Sequence, residues 1–162
     1  MSACDILVIA NLNMDLILEQ KNSQQTSRKR YADSFTLSPG GNGYNEAVAA
    51  ARMGATVALA GMIGSDSFGA QLKASLNEEI TDSQLVRVVP GSSGLSLILS
   101  SAGQENIYWD IVGANACLDE EYIRGLESHI AKVKLLVVGF GVPYASTVLA
   151  IRLAQKHGTA VM

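Results

Sequence analysis

The 162 residues are 48% apolar and 17% charged, a balance that suits one soluble globular domain and excludes a disordered or low-complexity chain. Fifteen Asp and Glu against twelve Lys and Arg leave a net charge of −3, which argues against nucleic acid as the main ligand. No segment approaches the roughly 20 apolar residues that cross a bilayer, and the start lacks a basic region and a small-residue cleavage pattern. The two cysteines, Cys4 and Cys117, are too few and too far apart for a disulfide framework. The expectations are a cytoplasmic location, no membrane partner, and two reduced, buried thiols.

Ile6 to Ala10 is continuously apolar and rich in β-branched residues, as in a central strand of a parallel sheet covered on both faces. Leu16 to Glu19 reads as a short strand, Gln20 to Arg30 as an exposed polar loop, and Ser34 to Leu37 as a second short strand. Ser38 to Gly43 is a turn cluster, after which Tyr44 to Met53 carries Ala47, Val48, Ala50 and Ala51 at helical spacing, ended by Gly54. Thr56 to Ile63 is another buried-strand run, and Asp66 caps a helix striped by Phe68, Leu72, Leu76 and Ile80.

Gln84 to Val89, Leu95 to Ser100 and Asn106 to Val112 are short strands, the last two joined as a hairpin by Ser-Ala-Gly-Gln-Glu. Asp119 caps a helix reaching about Ala131, Leu135 to Val138 is a buried strand, and Pro143 to His157 forms a helix with Val148, Leu149 and Leu153 inward. Ala160-Val161-Met162 reads as the opening of one more strand. Strands alternating with helices predict an α/β fold, a doubly wound and mainly parallel sheet, with the shorter alternating strands in a small separate sheet.

Asn13 and Asp15 follow the first buried strand, at the sheet edge where open α/β proteins hold ligands. An amide and a carboxylate two residues apart can exchange hydrogen bonds with vicinal hydroxyls, or simply cap a turn. Gly40-Gly41-Asn42-Gly43 opens a helix with Asn45 in its first turn, which lets backbone approach a polar ligand closely or merely supplies positive φ. No Gly-Lys-Ser/Thr follows, so it is not a P-loop, and Glu46 stands where a dinucleotide fingerprint needs its third glycine. His129 and His157 have no cysteine or carboxylate cluster beside them and read as surface residues. No serine sits in Gly-x-Ser-x-Gly. Tyr108 and Trp109 read as packing or dimer-contact residues of the small sheet.

In combination these motifs resemble the ribokinase-like (PfkB-type) carbohydrate kinases, collinearly over the whole chain. Gly40 to Gly54 looks like the N-terminal signature of that family, whose ribokinase form is Gly-Gly-Lys-Gly-Ala-Asn-Gln-Ala. Asn13-Met14-Asp15 resembles its Asn-x-Asp, Gly64 to Gly69 its Gly-x-Asp-x-Phe-Gly, and Gly113-Ala114-Asn115 its Gly-Ala-Asn. The resemblance implies a ribokinase-like fold with a β lid, here from strands near 16–19, 34–37 and 95–112, that closes over a sugar and often makes a homodimer contact. It implies that Asn13, Asp15, Gly40, Gly41 and Asn45 bind sugar hydroxyls, with Ser96 and Ile98 contacting the sugar from the lid. ATP and Mg²⁺ are the implied cofactors, and a sugar or nucleoside-like molecule the implied substrate.

Asn42 stands where the ribokinase pattern has Lys, Glu46 where it has Gln, and Gly141 where it has a sugar-binding Glu. The family's Gly-Ala-Gly-Asp motif, which carries the general base and the anion hole, does not occur in the 162 residues. Residues 1–162 are therefore expected to be the N-terminal part of one such domain, with the C-terminal ATP-binding and catalytic half absent and no turnover of their own. A non-catalytic sugar-binding or interaction module derived from such a kinase is the alternative.

Overall fold

Continuous apolar runs become the strands of one parallel sheet, and shorter polar-flanked strands become another. A computed structural model describes residues 4–21 and 29–162. In chain order, β1 (Ile6–Ile9), β2 (Asn13–Gln20) and β3 (Ser34–Gly40) lead into helix α1 (Asn42–Arg52). Next come β4 (Val57–Gly64), α2 (Ser67–Glu79), β5 (Val86–Val89), β6 (Gly94–Ser101) and β7 (Ile107–Ile111). A 3-10 turn over Gly113–Cys117 precedes α3 (Glu120–Gly125), α4 (Glu127–Ile130), β8 (Leu135–Val138), α5 (Tyr144–His157) and β9 (Ala160–Val161).

The first sheet has the order β5-β4-β1-β8-β9, every pair parallel, with β1 at its centre. One face packs Leu7, Ile9, Ala58, Ala60 and Leu136 against α3, α4 and α5 through Ile123, Ile130 and Ala150. The other packs Val8, Ala10, Val57, Leu59 and Val137 against α1 and α2 through Ala47, Val48, Leu72 and Leu76. Burial on both faces is why β1 and β4 are uninterrupted apolar runs. Glu79 on α2 holds Arg52 on α1 through two hydrogen bonds at 2.6 and 3.0 Å.

The second sheet has the order β3-β2-β6-β7. The chain supplies it in two excursions, β2–β3 and β6–β7, each an antiparallel pair, and the two join along the parallel β2–β6 seam from Asn13↔Gly94 to Gln20↔Ser101. Register puts Asn13, Asp15, Gly94, Ser96, Ile98, Tyr108 and Asp110 on one face. Leu37, Leu16, Leu97 and Trp109 form one row of the other.

Several expectations change. β2 starts at Asn13 rather than Leu16, and β3 runs on to Gly40, so Asn13, Asp15 and Gly40 are strand residues rather than loop residues. Pro39 is tolerated because β3 is an edge strand. Of the polar loop, residues 22–28 lie outside the described residues, and Gln20 belongs to β2 and is buried. The helix from Asp119 is broken: Gly125 weakens it, and the Leu126 amide donates to the Ile123 carbonyl at 3.0 Å, three residues back, before α4 begins. Cys4 is half-buried and Cys117 exposed, so the thiols are not core residues. In α5 the inward face is Ala150 and Ala154 with Leu149 and Leu153, and Val148 is only half-buried.

Candidate functional site

The site lies where the carboxyl ends of β1 and β8 meet the inner face of the second sheet. Three glycines let helix α1 start close beside it. Gly41, at φ +85°, is the last residue before α1, and a Cβ there would lie 2.9 Å from the Asn13 backbone nitrogen. A Cβ on Gly43 would meet the Ala10 Cβ at 2.6 Å, and one on Gly40 would fall on the Asp15 carboxylate. Helix α1 can therefore start directly beneath β1 and β2 only because these positions carry no side chain.

Asn115 ties the two sheets together. Its Oδ1 accepts from the Leu12 amide at 2.9 Å, and its Nδ2 donates to the Leu12 carbonyl at 3.1 Å, the Val112 carbonyl at 3.0 Å and Asn13 Oδ1 at 2.8 Å. Asn13 Nδ2 then donates to Ser96 Oγ at 3.1 Å, and the Ser96 hydroxyl donates to Asp110 Oδ1 at 2.6 Å. A four-residue relay thus runs from the end of the parallel sheet across the inner face of the lid, and Gly94 makes room for it, since a Cβ there would collide with Asn13 and Asn115.

Asp15 is half-buried. Burial pushes its carboxyl above the ordinary range, with Asp110 adding to the rise, while a hydrogen bond from the Gly41 amide opposes it. Asp66 behaves in the opposite way: burial would raise it, but the Ser93 hydroxyl at 2.7 Å and the amides of Ser93 and Gly69 at 2.9 and 2.8 Å outweigh that and hold it low. The Gly64–Gly69 motif is therefore a clasp: Asp66 caps α2 and grips the segment that leads into β6.

Of the residues singled out in the sequence, Asn13, Asp15, Gly41, Asn45, Ser96 and Ile98 line one polar chamber of about 300 Å³. Gly40 does not line it and sits behind the Asp15 carboxylate instead. Sequence reasoning missed Asn11, Tyr108 and Asp110 as wall residues of that chamber; Asn42 and Gly141, noted there only as departures from the ribokinase pattern, line it too. Alternation from Tyr108 would have put Asp110 on the same face, but only the register opposite Ser96 aims it at the site. Asn11, Asn13, Asp110 and Gly141 also border a second chamber of about 410 Å³, whose remaining wall is mostly apolar.

Neither chamber is lined by Lys, Arg or His. Among the described residues no three His, Cys, Asp or Glu gather as a metal site. These residues suit a neutral, hydroxyl-rich ligand and form no cradle for a triphosphate or for Mg²⁺. Among the described residues no helix is long and apolar enough to cross a membrane.

Residues 4–162 match the profile described as pfkB family carbohydrate kinase. A ribokinase of Schizosaccharomyces pombe is 27% identical over 98% of this chain and 52% of its own length. A ribokinase of Haemophilus influenzae is 30% identical over 97% of this chain and 52% of its own length. The structure of Arabidopsis thaliana ribokinase complexed with ribose and ATP superposes with a TM-score of 0.85 at 18% identity, covering 98% of this chain and 52% of that one, a likeness of fold. The chain thus spans about half the length of the relatives it matches.

Proposed function

Because this chain belongs to the pfkB family of carbohydrate kinases, we propose that it supplies the acceptor site of an ATP-dependent kinase that moves the γ-phosphoryl group to a hydroxyl of a sugar or nucleoside-like substrate. The observation that carries this reading is the convergence of Asn13, Asp15, Gly41, Asn45, Ser96 and Ile98 on one chamber, although they come from three separate stretches of chain. Asp15 accepts hydrogen bonds from vicinal hydroxyls, Asn45 accepts and donates from the first turn of α1, and the lid face of Ser96 and Ile98 covers the ligand and excludes water. Excluding water strengthens every polar contact in the chamber and protects a phosphoryl group from hydrolysis.

ATP would bring the transferable phosphoryl group and Mg²⁺ would neutralise its charge. Neither chamber is lined by Lys, Arg or His, and the 162 residues contain no Gly-Ala-Gly-Asp. What this chain does is bind and orient the acceptor. The exposed outer face of the lid, with Phe35, Leu37, Ile107 and Trp109, provides the apolar surface for a homodimer contact. The reading places the protein in the cytoplasm, where ATP is plentiful.

Isothermal titration with D-ribose, 2-deoxy-D-ribose, D-fructose and inosine, alongside a phosphorylation assay with ATP and Mg²⁺, tests it. Saturable binding without phosphorylation is expected, lost in Asp15→Asn. Phosphorylation by the 162-residue chain would overturn the division of labour, and undiminished binding by Asp15→Asn would overturn the site.

A further inference from the structure

Helices α3 and α5 enclose a groove of about 310 Å³ that shares no wall residue with either chamber of the cleft between the two sheets. Its floor is Ala145, Val148 and Leu149, and its rim carries Glu120 and Arg124 from α3 and Tyr144 and Arg152 from α5. Helical spacing brings them together. Residues 120 and 124 stand one turn apart on α3, and 144, 148 and 152 follow turn by turn along α5, so each helix turns one stripe toward the groove. Val148, whose spacing predicts an inward place, is half-buried and lines this groove.

The polar groups at the rim are unengaged. Among the described residues Arg124 and Arg152 make no ion pair, whereas Arg52, Lys134, Lys156 and His157 do. Glu120 precedes Arg124 by four residues, the spacing and order that favour a helix pair, yet the two do not close on each other. Both guanidinium groups therefore keep their N–H forks free beside an apolar floor. Such a fork matches the oxygens of a phosphate or carboxylate two at a time. Two arginines and one glutamate leave a single net positive charge, which suits one oxyanion head and disfavours a polyphosphate.

We propose that the α3–α5 groove is a second ligand site that takes a small organic oxyanion, a phosphate monoester or a carboxylate on an apolar body, with the head between Arg124 and Arg152 and the body over Val148 and Leu149. Tyr144, 73% exposed, adds an aromatic ring and a hydroxyl donor at the rim. The groove is opposite in character to the polar chamber, whose wall holds Asp15 and Asp110 and no cation. Its volume stands at the lower end of ligand cavities, about 300–1,000 Å³, room for one ring or short chain with its head group.

Calorimetric titration of the 162-residue chain with phenyl phosphate, phenylacetate, inorganic phosphate and benzyl alcohol tests this. Saturable binding of phenyl phosphate or phenylacetate is expected, and the tighter of the two names the head group. Inorganic phosphate, which leaves the floor uncovered, binds more weakly than phenyl phosphate, and benzyl alcohol, which lacks the head, does not bind. Arg124→Gln and Arg152→Gln each weaken the aryl anion by at least about tenfold, the scale of one charge-assisted hydrogen bond, and Glu120→Gln tightens it. Ala145→Glu, at an exposed helical position, sets a carboxylate in the floor and abolishes binding with both arginines in place; circular dichroism confirms that the variants fold. The proposal is overturned by no saturable binding of either aryl anion, by binding indifferent to both arginine variants, by equal binding of inorganic phosphate or benzyl alcohol, or by displacement with D-ribose. None of these outcomes bears on the polar chamber.

Discussion

Every residue of β4 is buried and every residue of β7 is exposed, and the contrast between their two sheets separates stability from recognition in this molecule. The parallel sheet is covered on both faces by helices and held by dispersion and the hydrophobic effect. The lid sheet has one face over the cleft and one face outward, so it is held by its ladder, by the β2–β6 seam and by the relay from Asn115 to Asp110. The cleft sits between them: the rigid sheet presents Asn11, Gly41 and Gly141, and the marginal one brings Asp15, Ser96 and Asp110 onto them.

The largest expected effect is in the rigid sheet. Leu59 is fully buried between α1 and α2, and Leu59→Ala should lower unfolding free energy by about 2–5 kcal/mol in urea titration. Leu97→Ala, half-buried on the outer lid face, should cost roughly 1 kcal/mol; equal losses would erase the distinction between the sheets. Asn115→Ala comes next, because it strands the Leu12 amide and Asn13 Oδ1 in a buried place. About 1–3 kcal/mol should be lost, and hydrogen exchange should speed up in β2 and β6 before it does in β1 and β4.

Asp15→Asn sharpens the comparison from the other side. A carboxyl whose folded pKa is raised opposes folding above that pKa and ceases to as pH falls through it toward the unfolded value. Asp15→Asn should therefore raise the melting temperature slightly at pH 7, with a gain that shrinks toward pH 4, while sugar binding is lost. Asp66 carries the opposite sign: its lowered pKa contributes stability present above the unfolded value near 3.9, lost as pH falls through the folded one. Asp66→Ala should cost about 0.5–2 kcal/mol at pH 7 through the lost helix cap and flatten the acid limb of the melting curve. The smallest effect is expected from the exposed pair: solvent screens it, so Arg52→Ala should leave the melting temperature essentially where it is.

The rigid sheet is legible in the sequence because an uninterrupted apolar run needs no knowledge of its partner. Ile6 to Ala10, Thr56 to Ile63 and Leu135 to Val138 declare themselves, and so do the caps Asp66 and Asp119 and the stop at Gly54, whose φ is +94°. The lid is less so. Asn13-Met14-Asp15 and Ser38-Pro39-Gly40 have poor intrinsic strand preference, and they are strands because β2 lies between β3 and β6. Asn13, Asp15, Gly41, Asn45, Ser96 and Ile98 reach the chamber through motif likeness. Asp110 and Asn11 escape it because their place depends on partners that no motif names, the hairpin register opposite Ser96 for one and Gly141, 130 positions on, for the other. The exposed Trp109 points the same way, since nothing local in Ile-Tyr-Trp-Asp-Ile says which face meets solvent.

The seam between β2 and β6 joins residues about 80 positions apart, Asn13 with Gly94 at one end and Gln20 with Ser101 at the other. Closing so long a stretch of chain is entropically slow, whereas each hairpin on either side of it needs only local contacts. The two hairpins can therefore form before the seam does, and the chamber between the sheets is complete only once that ladder closes.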